Sequence, residues 1–142
     1  MISDIITISL FIFGFYHFVA GIFAIGPHRW LQSFGRQVYH LDIPTVVDPR
    51  YFVCLKFLGL MALMVAALSF IVAYGSNKAA RELSMLSFGM LFLSRSFFRW
   101  IFKKEFFDAY QLEFKRSLWN IIFNSLVALF SIVITWMSYA TN

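Results

Sequence analysis

Four apolar runs, Ile5–Ile25, Tyr51–Tyr74, Leu83–Phe102 and Ser117–Met137, account for most of this chain. Each holds about 20 residues or more, enough at about 1.5 Å per residue to cross a hydrocarbon core roughly 30 Å thick. The expected fold is therefore all-α, a four-helix transmembrane bundle forming a single integral membrane domain over residues 1–142. Composition agrees: 61% of residues are hydrophobic and 13% charged, against about 25% charged in soluble chains. No length is left over for a separate catalytic domain.

Charge distribution orients the spans. The connections after the first and third runs, with the adjoining helix ends, hold Arg29, Arg36, Arg50, Lys56, Arg95, Arg99, Lys103, Lys104, Lys115 and Arg116, whereas the opposite side holds Lys78 and Arg81. Basic loops stay on the cytoplasmic side, so both termini are expected on the non-cytoplasmic side of a bacterial or organellar inner membrane. The net charge of +5 then points to anionic headgroups as partners rather than nucleic acid. The residues before the first run, Met1–Asp4, have no basic n-region, so that run reads as a retained span rather than a leader.

Small and polar residues tell which helix faces turn inward, because they allow close approach and find hydrogen bonds only inside a bundle. At about 100° per residue, Gly14, His17, Gly21 and Ala24 share a face of the first span, and Gly59, Ala62, Ala66, Ser69 and Ala73 share one of the second. Ser84, Ser87, Ser94 and Arg95 form a face of the third, and Ser117, Asn120, Asn124, Ala128, Ser131 and Thr135 one of the fourth. Gly26-Pro27 should end the first helix. Asp48-Pro49 should cap and open the second, and Gly75-Ser76-Asn77 should close it and cap the third. So short an outer connection makes the second and third helices antiparallel neighbours.

The two cytoplasmic connections carry their own patterns. Between His28 and Leu41, Trp30, Leu31, Phe34, Val38 and Leu41 share a face while Arg29, Arg36 and His40 point elsewhere. Lys103–Lys115 repeats the theme with Phe106, Phe107, Tyr110 and Phe114. Both read as amphipathic helices in the headgroup region, with Trp30, Phe34, Arg36, Phe106 and Tyr110 as the interfacial membrane contacts. Pro44 and Pro49 bracket a segment that should not be helical.

Chemistry-bearing residues inside the spans are few. His17, Lys56, Arg95, Arg99, Asn120 and Asn124 are the candidate ligand-binding set, a cationic, amide-lined pocket suited to a phosphate headgroup, a carboxylate or a quinone-like carbonyl. The alternative is that the long basic side chains snorkel to the interface and that His17 makes a helix-to-helix hydrogen bond to Asn120, Asn124 or a serine. Bis-His haem lacks a second histidine at depth, since His28 and His40 lie in the first connection. The acids, Asp4, Asp42, Asp48, Glu82, Glu105, Asp108 and Glu113, all fall outside the spans, which argues against a metal centre or carboxylate relay. The lone Cys54 excludes an internal disulfide. No catalytic residue is assigned, and the cofactor is unknown, no motif indicating one.

Gly26-Pro27, Asp48-Pro49-Arg50, Gly59, and Gly89 followed by Arg95 and Arg99 resemble the DoxX-like small four-helix membrane proteins. The resemblance spans residues 10–110. It implies a four-helix bundle whose basic helix ends hold a ligand or a partner. Some such proteins are membrane subunits linked to quinone-dependent sulfur oxidation, although no cofactor motif here carries that activity over. Three functions are therefore in view. The first is a non-enzymatic accessory or anchoring subunit, or lipid-binding module, with a protein partner or as a homo-oligomer. The second is a DoxX-like quinone- or amphipathic-anion-binding protein, and the third a small channel or transporter.

Overall fold

A computed structural model describes residues 1–39, 43–44, 48–110 and 114–141, without the side chains of Tyr39, Phe106, Tyr110, Phe114 and Arg116. Among the described residues the chain is mainly helical and has no strand. The helices are α1 (Ile2–Ile25), α2 (His28–Phe34), α3 (Pro49–Gly75), α4 (Lys78–Ile101), α5 (Lys103–Tyr110) and α6 (Phe114–Ala140). A single π-helical turn, Gly35–Tyr39, extends α2. Three of them, α1, α3 and α6, are long and apolar enough to cross a membrane. The third run lies on α4, which carries Lys78, Arg81, Glu82, Arg95 and Arg99 and is not among those three.

Helix ends follow the local chemistry of the sequence. Gly26 leaves the helical region after α1 while its N–H still donates to Ile22 O at 2.8 Å. Asp48 Oδ1 accepts from Arg50 N at 2.7 Å, with Pro49 in the first turn of α3. Asn77 Oδ1 caps α4 by accepting from Ala80 N at 2.9 Å. Gly75-Ser76-Asn77 closes α3 as expected: Gly75 is its last residue and Ser76, in extended conformation, its cap. No left-handed residue is needed there, because Ser76 N–H still reaches Val72 O at 3.3 Å.

Two antiparallel pairs organise the long helices. In the first, α1 and α3 touch almost backbone to backbone. A methyl group placed on Gly21 would lie 2.9 Å from Gly59 O, and one on Gly59 would lie 2.7 Å from the Ala24 side chain. Only glycine permits that approach. In the second pair, α4 meets α6 through Gly89 against Ser131 and through Ser96, whose hydroxyl donates to Ile121 O at 3.1 Å. The pairs join along a parallel α1–α4 seam, where Phe13 packs on Phe88 and Phe92 with ring centroids 5.2 and 5.3 Å apart. Ile6, Leu10 and Met85 fill the same core and are fully buried.

The buried faces of α1, α3 and α6 contain the small-residue stripes of the sequence. Gly14, His17 and Gly21 are buried on α1, Gly59, Ala66, Ser69 and Ala73 on α3, and Ser117, Ala128, Ser131 and Thr135 on α6. On α4 the expected face is wrong. Ser87 and Ser94 are exposed and Ser84 half-buried, while Glu82, Met85, Phe88, Gly89, Phe92, Ser96 and Arg99 point inward. Ser87 and Ser94 donate instead to the carbonyls one turn back, Leu83 O and Met90 O, at 2.9 and 2.8 Å. A serine that satisfies its own hydroxyl within the helix does not need a bundle interior.

At one end α2 folds back on α1. Phe34 stacks on Phe23 at 5.0 Å and 28°, and Trp30 meets the same ring at 6.2 Å. Its polar side is tied to the following loop, His28 Nε2–H donating to Pro44 O at 2.8 Å and Gln32 Nε2 to Ile43 O at 3.1 Å. Pro44 is non-helical, as expected. Leu41, expected on the apolar face, and His40, expected to point away from it, lie outside the described residues, as do the side chains of Phe106, Tyr110 and Phe114.

Candidate functional site

The candidate residues do not form one constellation. His17 and Arg95 come together at the α1–α4 seam. His17 is 3% exposed. Its Nδ1 lies 2.8 Å from Phe13 O and its Nε2 lies 3.4 Å from Arg95 Nη2. A carbonyl can only accept and a guanidinium can only donate, so the ring is a neutral imidazole with its proton on Nδ1. Both nitrogens are thereby occupied. The expected bond from His17 to Asn120, Asn124 or a serine is replaced by one to a carbonyl of its own helix and one to Arg95. Aromatic rings enclose the pair: Tyr16 and Phe88 flank His17 at 5.1 and 5.5 Å, and the Arg95 guanidinium lies 5.5 Å from the Phe92 ring centre. Such contacts favour a cation held away from water.

Lys56 is engaged elsewhere. Its Nζ donates to Ile25 O at 2.8 Å and also to Gly26 O, and it lies 4.6 Å from the centre of the Phe52 ring. These are terminal carbonyls of α1, which the helix itself leaves without donors. An ammonium group there both supplies hydrogen bonds and opposes the negative end of the helix dipole. Arg99 is 7% exposed on the inward face of α4, one turn beyond Arg95. Asn120 and Asn124 are half-buried on α6.

Of the interfacial contacts expected near the basic end, Trp30 is exposed, Phe34 is half-buried against Phe23, and Arg36 is exposed. Phe106 and Tyr110 belong to α5, but their side chains lie outside the described residues.

The opposite end holds a polar cluster that the sequence reading missed. Glu82 is 2% exposed, inside α4 rather than ahead of it. The Ser138 hydroxyl of α6 donates to Glu82 Oε1, and Lys78 Nζ lies 3.6 Å from the same oxygen and 3.4 Å from Ser138 O. One turn across, Arg81 Nη1 donates to Thr7 Oγ1 at 2.9 Å, and that hydroxyl donates to Ser3 O at 2.9 Å. The signal was present as Lys78 and Glu82, an i, i+4 pair. In the sequence it is hidden by position, since Glu82 stands immediately before the apolar run that opens at Leu83.

Between these ends hydroxyl side chains share the interior with the apolar core, and the outside is largely apolar. Ser9, Ser69, Ser96, Ser131 and Thr135 are buried, whereas Phe15, Phe57, Leu68, Ile71 and Trp119 are each about 60% exposed or more. Among the described residues no group of three His, Cys, Asp or Glu side chains could hold a metal ion. Comparisons with protein-family models, with characterised proteins and with solved structures find no match to this chain.

Proposed function

We propose that this chain is a four-helix integral protein of a bacterial or organellar inner membrane, with α1, α3, α4 and α6 crossing and both termini on the non-cytoplasmic side. In that membrane it serves as a non-enzymatic accessory or anchoring subunit, or as a lipid-binding module. The observation that carries this reading is the largely apolar outer surface. Interior hydroxyls such as Ser131 and Thr135 donate to backbone carbonyls, and Ser125 donates to Ser96 at 3.1 Å, while large apolar side chains cover the outside. Soluble proteins seldom expose contiguous apolar area beyond a few hundred Å², so that surface belongs to lipid or to a partner helix.

Native mass spectrometry of the gently solubilised protein tests this, with bound small molecules identified afterwards. A co-purifying chain or a defined anionic lipid supports the reading. A monodisperse monomer unchanged by lipid removal counts against it.

A second reading, in line with the DoxX-like resemblance, makes the protein one that binds or passes a quinone or other amphipathic anion. The closeness of Arg95 to His17, with Arg99 buried on the same helix, favours it. Under this reading Arg95→Ala abolishes function while folded protein persists. Loss of function only in step with loss of protein would leave the pair a packing element.

A further inference from the structure

The face of α4 turned away from the bundle has a pattern of its own. Leu83, Ser87, Met90, Ser94, Phe97 and Ile101 follow one another in alternate steps of four and three residues, and all six are exposed. That is the spacing, about 3.5 residues on average, with which one helix packs along another. Lipid chains impose no such period on the side chains they touch. Among the described residues of the long helices, Ser87 and Ser94 are the exposed serines, the others being buried or half-buried. Their hydroxyls are already held by Leu83 O and Met90 O. What they offer outward is small size, which lets a second backbone approach.

The relief on either side of the stripe fits the same reading. A groove of about 230 Å³ runs between α3 and α4, with Ser84, Ser87 and Leu91 on its α4 wall. Another, of about 440 Å³, runs between α4 and α6, with Ser94, Phe97 and Trp100 on its α4 wall. Leu83, Met90 and Phe97 stand out along the stripe itself, each more than half exposed. Projections and hollows thus alternate on one surface, which makes it complementary to a copy of itself. Charge permits that pairing. Lys78, Arg81, Glu82, Arg95 and Arg99 all lie roughly 100° or more round α4 from the centre of the stripe, so two copies bring no like charges together along it.

We infer that this stripe of α4 is the interface with a second copy of the chain, in a dimer whose two-fold axis lies along the membrane normal. Copies inserted in one orientation run their α4 helices parallel, and each stripe residue then meets its own counterpart, as an isologous contact requires. Layers of Ser87 and Ser94 alternate with layers of Leu83, Met90 and Phe97, and the large side chains enter hollows floored by the serines of the other copy. The inference rests on the membrane reading above, in which α4 crosses the bilayer, and it specifies the partner of that reading as another copy.

The test is oxidative crosslinking in isolated membranes, using the full chain with Cys54→Ala and one new cysteine at a time. Ser87→Cys, Met90→Cys and Ser94→Cys should each yield a crosslinked dimer. Ile12→Cys and Leu126→Cys, on the exposed faces of α1 and α6, should not. In vesicles diluted with lipid and read by energy transfer between labelled copies, S87A/S94A should associate as the wild type does. S87I/S94I should associate about tenfold more weakly or worse, because the larger side chains hold the helices apart. Alkaline carbonate extraction of the same membranes separates the two levels of the argument. A chain retained by carbonate but crosslinked at none of the three stripe positions, or as readily at Ile12 and Leu126, overturns the interface alone. A chain that carbonate strips off overturns the membrane reading with it. Stripe cysteines that crosslink only to a chain of different mass overturn the second copy as occupant, and undiminished association of S87I/S94I overturns the close approach. Should S87I/S94I fail to fold, the pattern of single cysteines decides the matter.

Discussion

Arg95 Nη2 lies 3.4 Å from His17 Nε2, so a charged side chain of α4 has its acceptor on α1. Because the other imidazole nitrogen is held by Phe13 O at 2.8 Å, the ring cannot rotate away without losing both bonds. His17→Phe removes the acceptor but keeps an aromatic ring, and should destabilise the folded state by about 2 kcal/mol through a donor left without its partner. Adding Arg95→Met should recover most of that loss, because replacing both members of a pair costs less than removing one. A double-mutant cycle by denaturant unfolding in detergent checks this. Strictly additive costs would show that the two side chains are not coupled.

The α1–α3 contact predicts a sharp contrast between glycines. A side chain on Gly59 meets Ala24 at 2.7 Å, and one on Gly21 meets Leu63 at 2.7 Å, while one on Gly75 meets nothing within 4 Å. Gly59→Leu should therefore cost about 1–3 kcal/mol or more by forcing the helices apart. Gly75→Ala, in the last turn of α3, should be neutral or stabilising by up to about 1 kcal/mol. Thermal unfolding of both variants in one detergent gives the comparison, and equal effects would contradict the close approach.

Ser138→Ala should cost about 1–3 kcal/mol, because the Ser138 hydroxyl donates to a carboxylate that is 2% exposed. Glu82→Gln retains a carbonyl oxygen for the same hydroxyl and should cost less. Unfolding measurements at one pH separate the two, and a larger loss for Glu82→Gln would place the main interaction with Lys78 instead.

Lys56 distinguishes capping from ligand binding. Lys56→Met should raise amide exchange in the last turn of α1 and cost about 1 kcal/mol, since two terminal carbonyls lose their donor. Lys103→Met, at an exposed site beside the Trp100 ring, should change stability by no more than about 0.5 kcal/mol. Unchanged exchange at Ile22–Ile25 would remove Lys56 from that role.

What could be read from residues alone depended on how local the cause was. Caps at Asp48 and Asn77 are made by side chains two and three residues from their partners, and both were legible. Stripes of glycine and alanine on α1 and α3 were legible too, because their only function is to let another backbone approach. Serines on α4 were misleading, since a hydroxyl bonds as well to its own helix as to a neighbour. Glu82 was overlooked because its burial depends on Ser138, far along the chain on another helix.

The seam between α1 and α4 has a consequence for synthesis. In the proposed membrane setting, α4 is the segment least able to leave water unaided, burdened by Arg81, Glu82, Arg95 and Arg99. The acceptors of Arg81 and Arg95, Thr7 and His17, belong to α1, which leaves the ribosome before α4. The N-terminal hairpin of α1 and α3 can thus be assembled while α4 is still being translated, offering a prepared berth to a helix that lipid alone would reject. For Arg81 and Arg95, order of emergence and order of need coincide.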